Sequence, residues 1–300
     1  MERKKFIQAL ALGTLGTIGS VSMTSLFEFN KFTGELKEQD IIMPVLFVGH
    51  GSPMNAIEDN EFSGRWKQMG KEIPKPKAVL IVSAHWLTKG TKITAIEQPK
   101  TIHDFGGFPK PLFDVRYPAP GDPALAKETS TLIKSTPVGL DHDWGLDHGA
   151  WSIVCNMYPE AKIPVLQLSI DYTKEPQYHY NLAKELYELR KKGVLIIGSG
   201  NMVHNLGMVE WSMIKGGGFD WAISLNEKFK SLIQKDDHQA LINYHTLGKE
   251  AALAIPTPEH YLPLMYSLGL KGKNDKVSFF NDKAIGGSLT MTSVSIQNAT

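Results

Sequence analysis

"PVLFVGHGSP", residues 44–53, runs from a continuous apolar stretch straight into Gly49, His50 and Gly51. An unbroken apolar run, as opposed to an alternating one, marks a strand covered on both faces, as in the parallel sheets of α/β proteins. The turn that follows puts a histidine between two glycines. Either the turn contains that residue by accident or it exists to present it.

The same apolar signature returns in "AVLIVSA" (78–84), "KITAIEQ" (92–98), "IPVLQLSI" (163–170) and "GVLIIGSG" (193–200). Helical patterns separate these runs at 59–71, 122–135, 149–157, 176–191 and 219–234, and two more follow at 237–246 and 258–268. Strand and helix alternating on one length scale predict a single α/β domain over residues 41–300, with a largely parallel or mixed central sheet flanked by helices. The last stretch, "VSFFNDKAIGGSLTMTSVSIQ" (277–297), predicts two strands joined by a Gly-Gly turn, an antiparallel finish to the sheet.

Composition narrows the function. The 300 residues are 42% hydrophobic and 21% charged with a formal charge of +1, which lacks the basic excess that phosphate backbones demand and excludes nucleic acid as a partner. Cys155 is the only cysteine, so an intrachain disulfide and a thiolate-rich zinc or iron–sulfur centre are both excluded. Any metal here relies on histidine and carboxylate.

Four of the ten histidines share a setting. His50 follows the first apolar run, His85 the second in "VSAHW", and His204 another in "GSGNMVHN", while His260 opens a helix in "PTPEHYLP". Sites in open parallel sheets form just beyond the carboxyl ends of strands, so the first three are expected to converge. Any one of them alone reads as a hydrogen-bonded loop residue. Together they fit a divalent metal, because two histidines and a third N or O ligand with open positions make the usual catalytic centre. Small neighbours of His50 (Gly49, Gly51, Ser52) are expected to permit the sharp turn and leave room for a small molecule.

A fifth histidine, His148 in "HDWGLDHGAW" (142–151), begins a helix where an imidazole can donate to a developing negative charge, with Asp147 a possible orienting partner. Solvated histidines in a helix-capping loop are the plain alternative. His103 and His142 carry less information, and His179, His238 and His245 are expected at the surface. The aromatic, Pro/Gly-rich stretch 103–123 reads either as a structured loop walling a flat ligand or as a loop packed on the core. Dinucleotide, P-loop and nucleophile-elbow patterns fail on spacing.

Residues 1–35 stand apart. Arg3, Lys4 and Lys5 precede a weakly apolar run, the layout of an export signal and too short for a stable membrane span. "RKKF" resembles a degenerate twin-arginine signal with lysine for the second arginine. A working signal implies a periplasmic or exported protein, and an ordinary amphipathic helix a cytoplasmic one. The residues assign no oligomeric state.

Seven motifs, in order, carry a resemblance: "LFVGHGSPMNAIEDN", "VLIVSAHW", "TIHDFGGFP", "YPAPGDP", "GLDHGAW", "VLIIGSGNMVHNL" and "TPEHYLPL". From about residue 43 to the C-terminus the chain resembles the DODA-type, 4,5-DOPA extradiol dioxygenase-like family of the class III extradiol ring-cleavage dioxygenases. That resemblance implies an oxidoreductase with one divalent metal, a small aromatic diol such as DOPA as substrate, and dioxygen as co-substrate. It implies His50, His85, His204 and His260 as metal ligands, His204 also as base, and His148 as acid or dioxygen-positioning residue. The wider superfamily uses a glutamate as third ligand, so at Pro258-Glu259-His260 either His260 coordinates or Glu259 does. Fe(II) is expected for activity, because Zn(II) has no accessible redox change, and zinc retention is expected of a four-histidine site. A zinc-dependent hydrolase, or a catalytically silent metal- or catechol-binding protein, are the alternatives. Lys110 and Arg116 are the candidates for binding a substrate carboxylate.

Overall fold

The computed structural model describes residues 41–298, so the export-signal expectation for residues 1–35 lies outside the described residues. Ten strands are described: β1 Val45–Gly49, β2 Ala78–Thr88, β3 Thr91–Thr94, β4 Val138–Asp141, β5 Val165–Asp171, β6 Val194–Gly200, β7 Asp275–Phe280, β8 Ala284–Ile285, β9 Leu289–Thr290 and β10 Ser293–Asn298. Eight form one sheet in the order β4-β3-β5-β2-β6-β1-β10-β7. Its centre, β5-β2-β6-β1, is parallel. β3 runs antiparallel to β5, and β10 antiparallel to both β1 and β7, so the sheet is mixed.

The unbroken apolar runs are explained by cover on both faces. Val45 and Phe47 of β1, with Leu80, Val82 and Ile196, pack in one core cluster against Leu182, Leu264 and Phe229. Those three lie on helices Pro176–Glu185, Leu262–Gly269 and Asp220–Gln234. The alternate residues Leu46 and Val48, with Val79, Ile81 and Ile197, pack in a second cluster with Trp66, Trp151 and Val154. Those lie on α1 (Glu61–Glu72) and α2 (His148–Met157). Asn60 caps α1 in a reciprocal pair with Ser63, and Asp147 caps α2 by accepting from the Ala150 amide.

Several boundaries differ from the sequence pattern. The expected helix 176–191 breaks at Leu186 into Pro176–Glu185 and Tyr187–Lys191, and the expected helix 237–246 shortens to His238–Ile242 and a 3-10 turn. The helix expected from 258 begins at Leu262, leaving His260 in the preceding turn. The Gly286-Gly287 turn joins only the short β8 and β9, which form a sheet of their own, while β7 and β10 pair around this hairpin. Among the described residues, no helix is long and apolar enough to cross a membrane.

Candidate active site

β1 ends at Gly49, and the amide of His50 donates to Gly200 at the end of β6. The neighbouring glycines serve the backbone. A methyl group at Gly49 would lie 2.6 Å from the carbonyl oxygen of Met291, and Gly51 adopts φ +59 with the Met291 sulfur beside it. Met291 fills the space that the sequence reading reserved for a small molecule at this turn.

His85 lies within β2, not after it as the apolar run implied. The pairing of β2 with β5 shifts register between Val82 and Leu87, and the β6 pairing ends at Ser83. His85 occupies that irregularity, the kind of strand defect that re-aims a side chain. Trp86, next along, stacks on Trp144 at 5.6 Å and ties β2 to the segment leading into α2.

The five histidines singled out in the sequence all meet. The ring of His50 lies 5.0 Å from His85, 5.5 Å from His148 and 5.4 Å from His260, and His85 lies 3.9 Å from His148. His204 stacks flat on His260 at 3.6 Å. The tightest set of three ligand atoms, within 4.8 Å of one another, comes from His50, His85 and His148, which differs from the expected set in containing His148.

The hydrogen bonds decide which ring atoms face inward. Ser199 Oγ donates its one hydrogen to the Gly149 carbonyl at 2.6 Å, so Nδ1 of His50, 2.9 Å from the same oxygen, must be the donor to it. Nε2 of His50 then carries a lone pair toward Nε2 of His85, 3.1 Å away. Two nitrogens each about 2.1 Å from one divalent ion stand about 3 Å apart. The donor set fits a metal on this observation, and imidazole suits Fe and Zn alike.

Burial sets the charge state of the cluster. Burial first, and then the neighbouring imidazoles beginning with His85, push His50 well below its ordinary pKa. Burial and the charges of His148 and His260 lower His85 to about 2, and burial with His260 lowers His204 to about 3. These rings are neutral at pH 7, the state in which imidazole binds metal. Glu259 stays ionised: burial opposes this, but hydrogen bonds from His260 and Thr257 hold it at about 2. It lies 3.3 Å from Nδ1 of His260, beside the cluster through that ring.

Asp104 escaped the sequence reading. Its Oδ1 accepts from the His148 amide and its Oδ2 lies 2.9 Å from Nδ1 of His148. Burial works against ionisation of this carboxyl, yet the hydrogen bonds and charge of His148 hold it below its usual range. Asp147, the partner expected for His148, instead accepts from Ser83 at 2.7 Å and Gln167 at 2.6 Å in the core. The one available signal for Asp104 was its place in the aromatic loop, where Phe105 sets its ring 5.5 Å from His148 and Phe108 and Phe113 pack behind. That loop packs on the core through Leu112, Tyr117 and Ala119 and also borders the histidine cluster through Phe105.

Other candidates are used elsewhere. Lys110 pairs with Asp114, and Arg116 donates to the carbonyls of Phe113 and Val115. His103 packs among Phe105, Phe113 and Trp151, and His142 bonds the Ala95 carbonyl. His179, expected at the surface, is fully buried against the Tyr266 hydroxyl. His245 is exposed as expected, and His238 is half-buried on Tyr180.

Comparisons with known proteins agree on one relationship. Residues 44–292 match the family described as the catalytic LigB subunit of aromatic ring-opening dioxygenase. The chain is similar to a 4,5-DOPA dioxygenase extradiol of Escherichia coli, at 46% identity over 85% of this chain and 94% of that one. It is 36% identical to the Beta vulgaris protein of the same name, over 84% and 96% of the two chains. A solved structure of an uncharacterized Escherichia coli protein covers 85% of this chain and 99% of its own with a TM-score of 0.74 at 41% identity.

Proposed function

Because the chain belongs to the family of the catalytic LigB subunit of aromatic ring-opening dioxygenases and is an extradiol dioxygenase, we propose that it opens the ring of a DOPA-like catechol with dioxygen. The convergence of five buried or half-buried histidines in one cluster is the observation that supports this reading.

His50, His85, His204 and His260 would hold a single divalent metal. When bound, Fe(II) supplies the transfer of electron density from a catecholate to dioxygen, which Zn(II) does not. The residues around it do the acid–base work. His204, neutral and stacked on His260, takes the proton of the second catechol hydroxyl when its ring nitrogen is off the metal, since a neutral imidazole has one lone pair to give. Nδ1 of His148 is held by Asp104, so Nε2 is the atom that takes up and returns a proton. Phe105, edge-on to His148, offers an apolar wall for a flat ring and helps to exclude water. The compact set of His50, His85 and His148 favours a second reading of the ligands, with His148 on the metal. Metal content of His148→Ala against His260→Ala separates the two.

The test is oxygen uptake with a panel of catechols after anaerobic loading with Fe(II) or Zn(II). Uptake with Fe(II) alone is expected. Hydrolytic activity with Zn(II) and no uptake would overturn the proposal.

A further inference from the structure

One carboxylate oxygen faces two imidazoles of the cluster. Oδ2 of Asp104 lies 2.9 Å from Nδ1 of His148 and 3.4 Å from Nδ1 of His85, while Oδ1 takes the backbone amide of His148. We propose that Asp104 is a positioning residue that fixes the tautomer and orientation of His148, with the hydrogen on Nδ1 and a lone pair on Nε2.

A carboxylate only accepts, so the nitrogen at 2.9 Å must carry a hydrogen. His50 reaches the same state as His148 by other means, through Ser199 and the Gly149 carbonyl. His85 differs: its Nε2 lies 3.1 Å from the bare Nε2 of His50 and carries the hydrogen between them when no metal is bound, so Asp104, 3.4 Å from its Nδ1, does not set its tautomer. Two rings on two elements are thereby locked with the hydrogen on Nδ1, one of them by Asp104. An outer partner that fixes tautomer and ring orientation is the arrangement that metal-binding histidines use.

Asp104 also couples that arrangement to the aromatic loop. Phe105 follows it directly and lays its ring edge-on to His148 at 5.5 Å, and Trp151 of α2 donates to the carbonyl of Ile102 at 2.8 Å. The grip on the His148 amide therefore registers the loop against α2 at the point where the loop walls the site. Only the catalytic consequence rests on the ring-cleavage reading; the tautomers do not.

The experiment is long-range proton–nitrogen correlation NMR on the metal-free, histidine-labelled protein, for wild type, Asp104→Asn and Asp104→Glu. Wild type is expected to show Nδ1–H with unprotonated Nε2 at His50 and His148. Asp104→Asn, which loses one acceptor oxygen and gains a donor, is expected to move the proton to Nε2 on His148, with His50 unchanged and Asp104→Glu restoring the pattern. In the Fe(II)-loaded enzyme, kcat of Asp104→Asn should fall about 10–100-fold with KM for the catechol little changed. A proton on Nε2 of His148 in wild type would overturn the proposal, as would an unchanged His148 tautomer in a folded Asp104→Asn. The wild-type spectrum decides if neither variant folds. Shifted tautomers in a protein that opens no catechol would sink the ring-cleavage reading and leave the role of Asp104 standing.

Discussion

Replacing His50 or His85 by alanine removes a nitrogen from the pair whose Nε2 atoms lie 3.1 Å apart, and either variant is expected to lose its metal. Metal analysis after stoichiometric loading checks this, and full retention in either variant would contradict the assignment. His148→Ala is expected to keep its metal while kcat falls about 10²–10⁴-fold, the usual size of a lost acid–base contribution. A methyl group at Gly149 would lie 2.5 Å from Ser83 Oγ and 3.0 Å from the His85 ring, so Gly149→Ala should cost about 1–3 kcal/mol and displace His85. Denaturant unfolding gives the first effect and metal affinity the second. All five histidines that the structure brings together were legible in the sequence, because each stands at a strand end, in a strand that outlasts its neighbour, or beside a helix start. Asp104 was not, because it acts on a residue 44 positions away across a loop with no periodic pattern. Ser199 was hidden for a different reason: it lies inside β6, where nothing separates it from an ordinary strand residue.

Among the elements, β2 shows why boundaries are harder to read than existence. Its apolar run ends at Ala84, but pairing with β5 resumes at Leu87 and carries the strand to Thr88. The short edge strand β4 is missing from the apolar pattern because its residues are half-buried or exposed. His179, on helix Pro176–Glu185, shows the opposite error, since polar neighbours in sequence conceal a side chain packed under Tyr266. Burial lowers its pKa from 6.5 to about 4. The unfolded chain therefore binds more protons than the folded one between these values, and stability is expected to fall by about 3 kcal/mol as pH drops through that window. His179→Asn should flatten this part of the stability–pH curve, and an unchanged slope would count against a buried neutral imidazole. A second joint lies between Arg190 and β7. The guanidinium donates to Asp275 at 2.6 Å, to the Leu270 carbonyl at 2.7 Å and to the Met43 carbonyl at 2.8 Å, with no solvent exposure. Asp275→Ala strands a buried charge and should destabilise the fold by about 3–5 kcal/mol in chemical denaturation.

Over the whole domain, the α/β class, the parallel centre and the antiparallel C-terminal edge were all legible, because faces covered by helices demand unbroken apolar runs. The order of strands was not, since pairing between distant segments leaves no local trace. A metal bound only by the folded chain couples the site to the whole fold. At about 1,000-fold excess over its dissociation constant such an ion adds about 4 kcal/mol, so chelation should lower Tm by on the order of 10 °C. If this fold inserts both atoms of dioxygen into a catechol ring, mass spectrometry of the product made from DOPA under isotopically labelled dioxygen will show it. With Fe(II)-loaded protein, both labelled atoms are expected in a ring-opened product, and none in the presence of Zn(II) alone. A product carrying no label, or an intact ring after full turnover of oxygen, would contradict it.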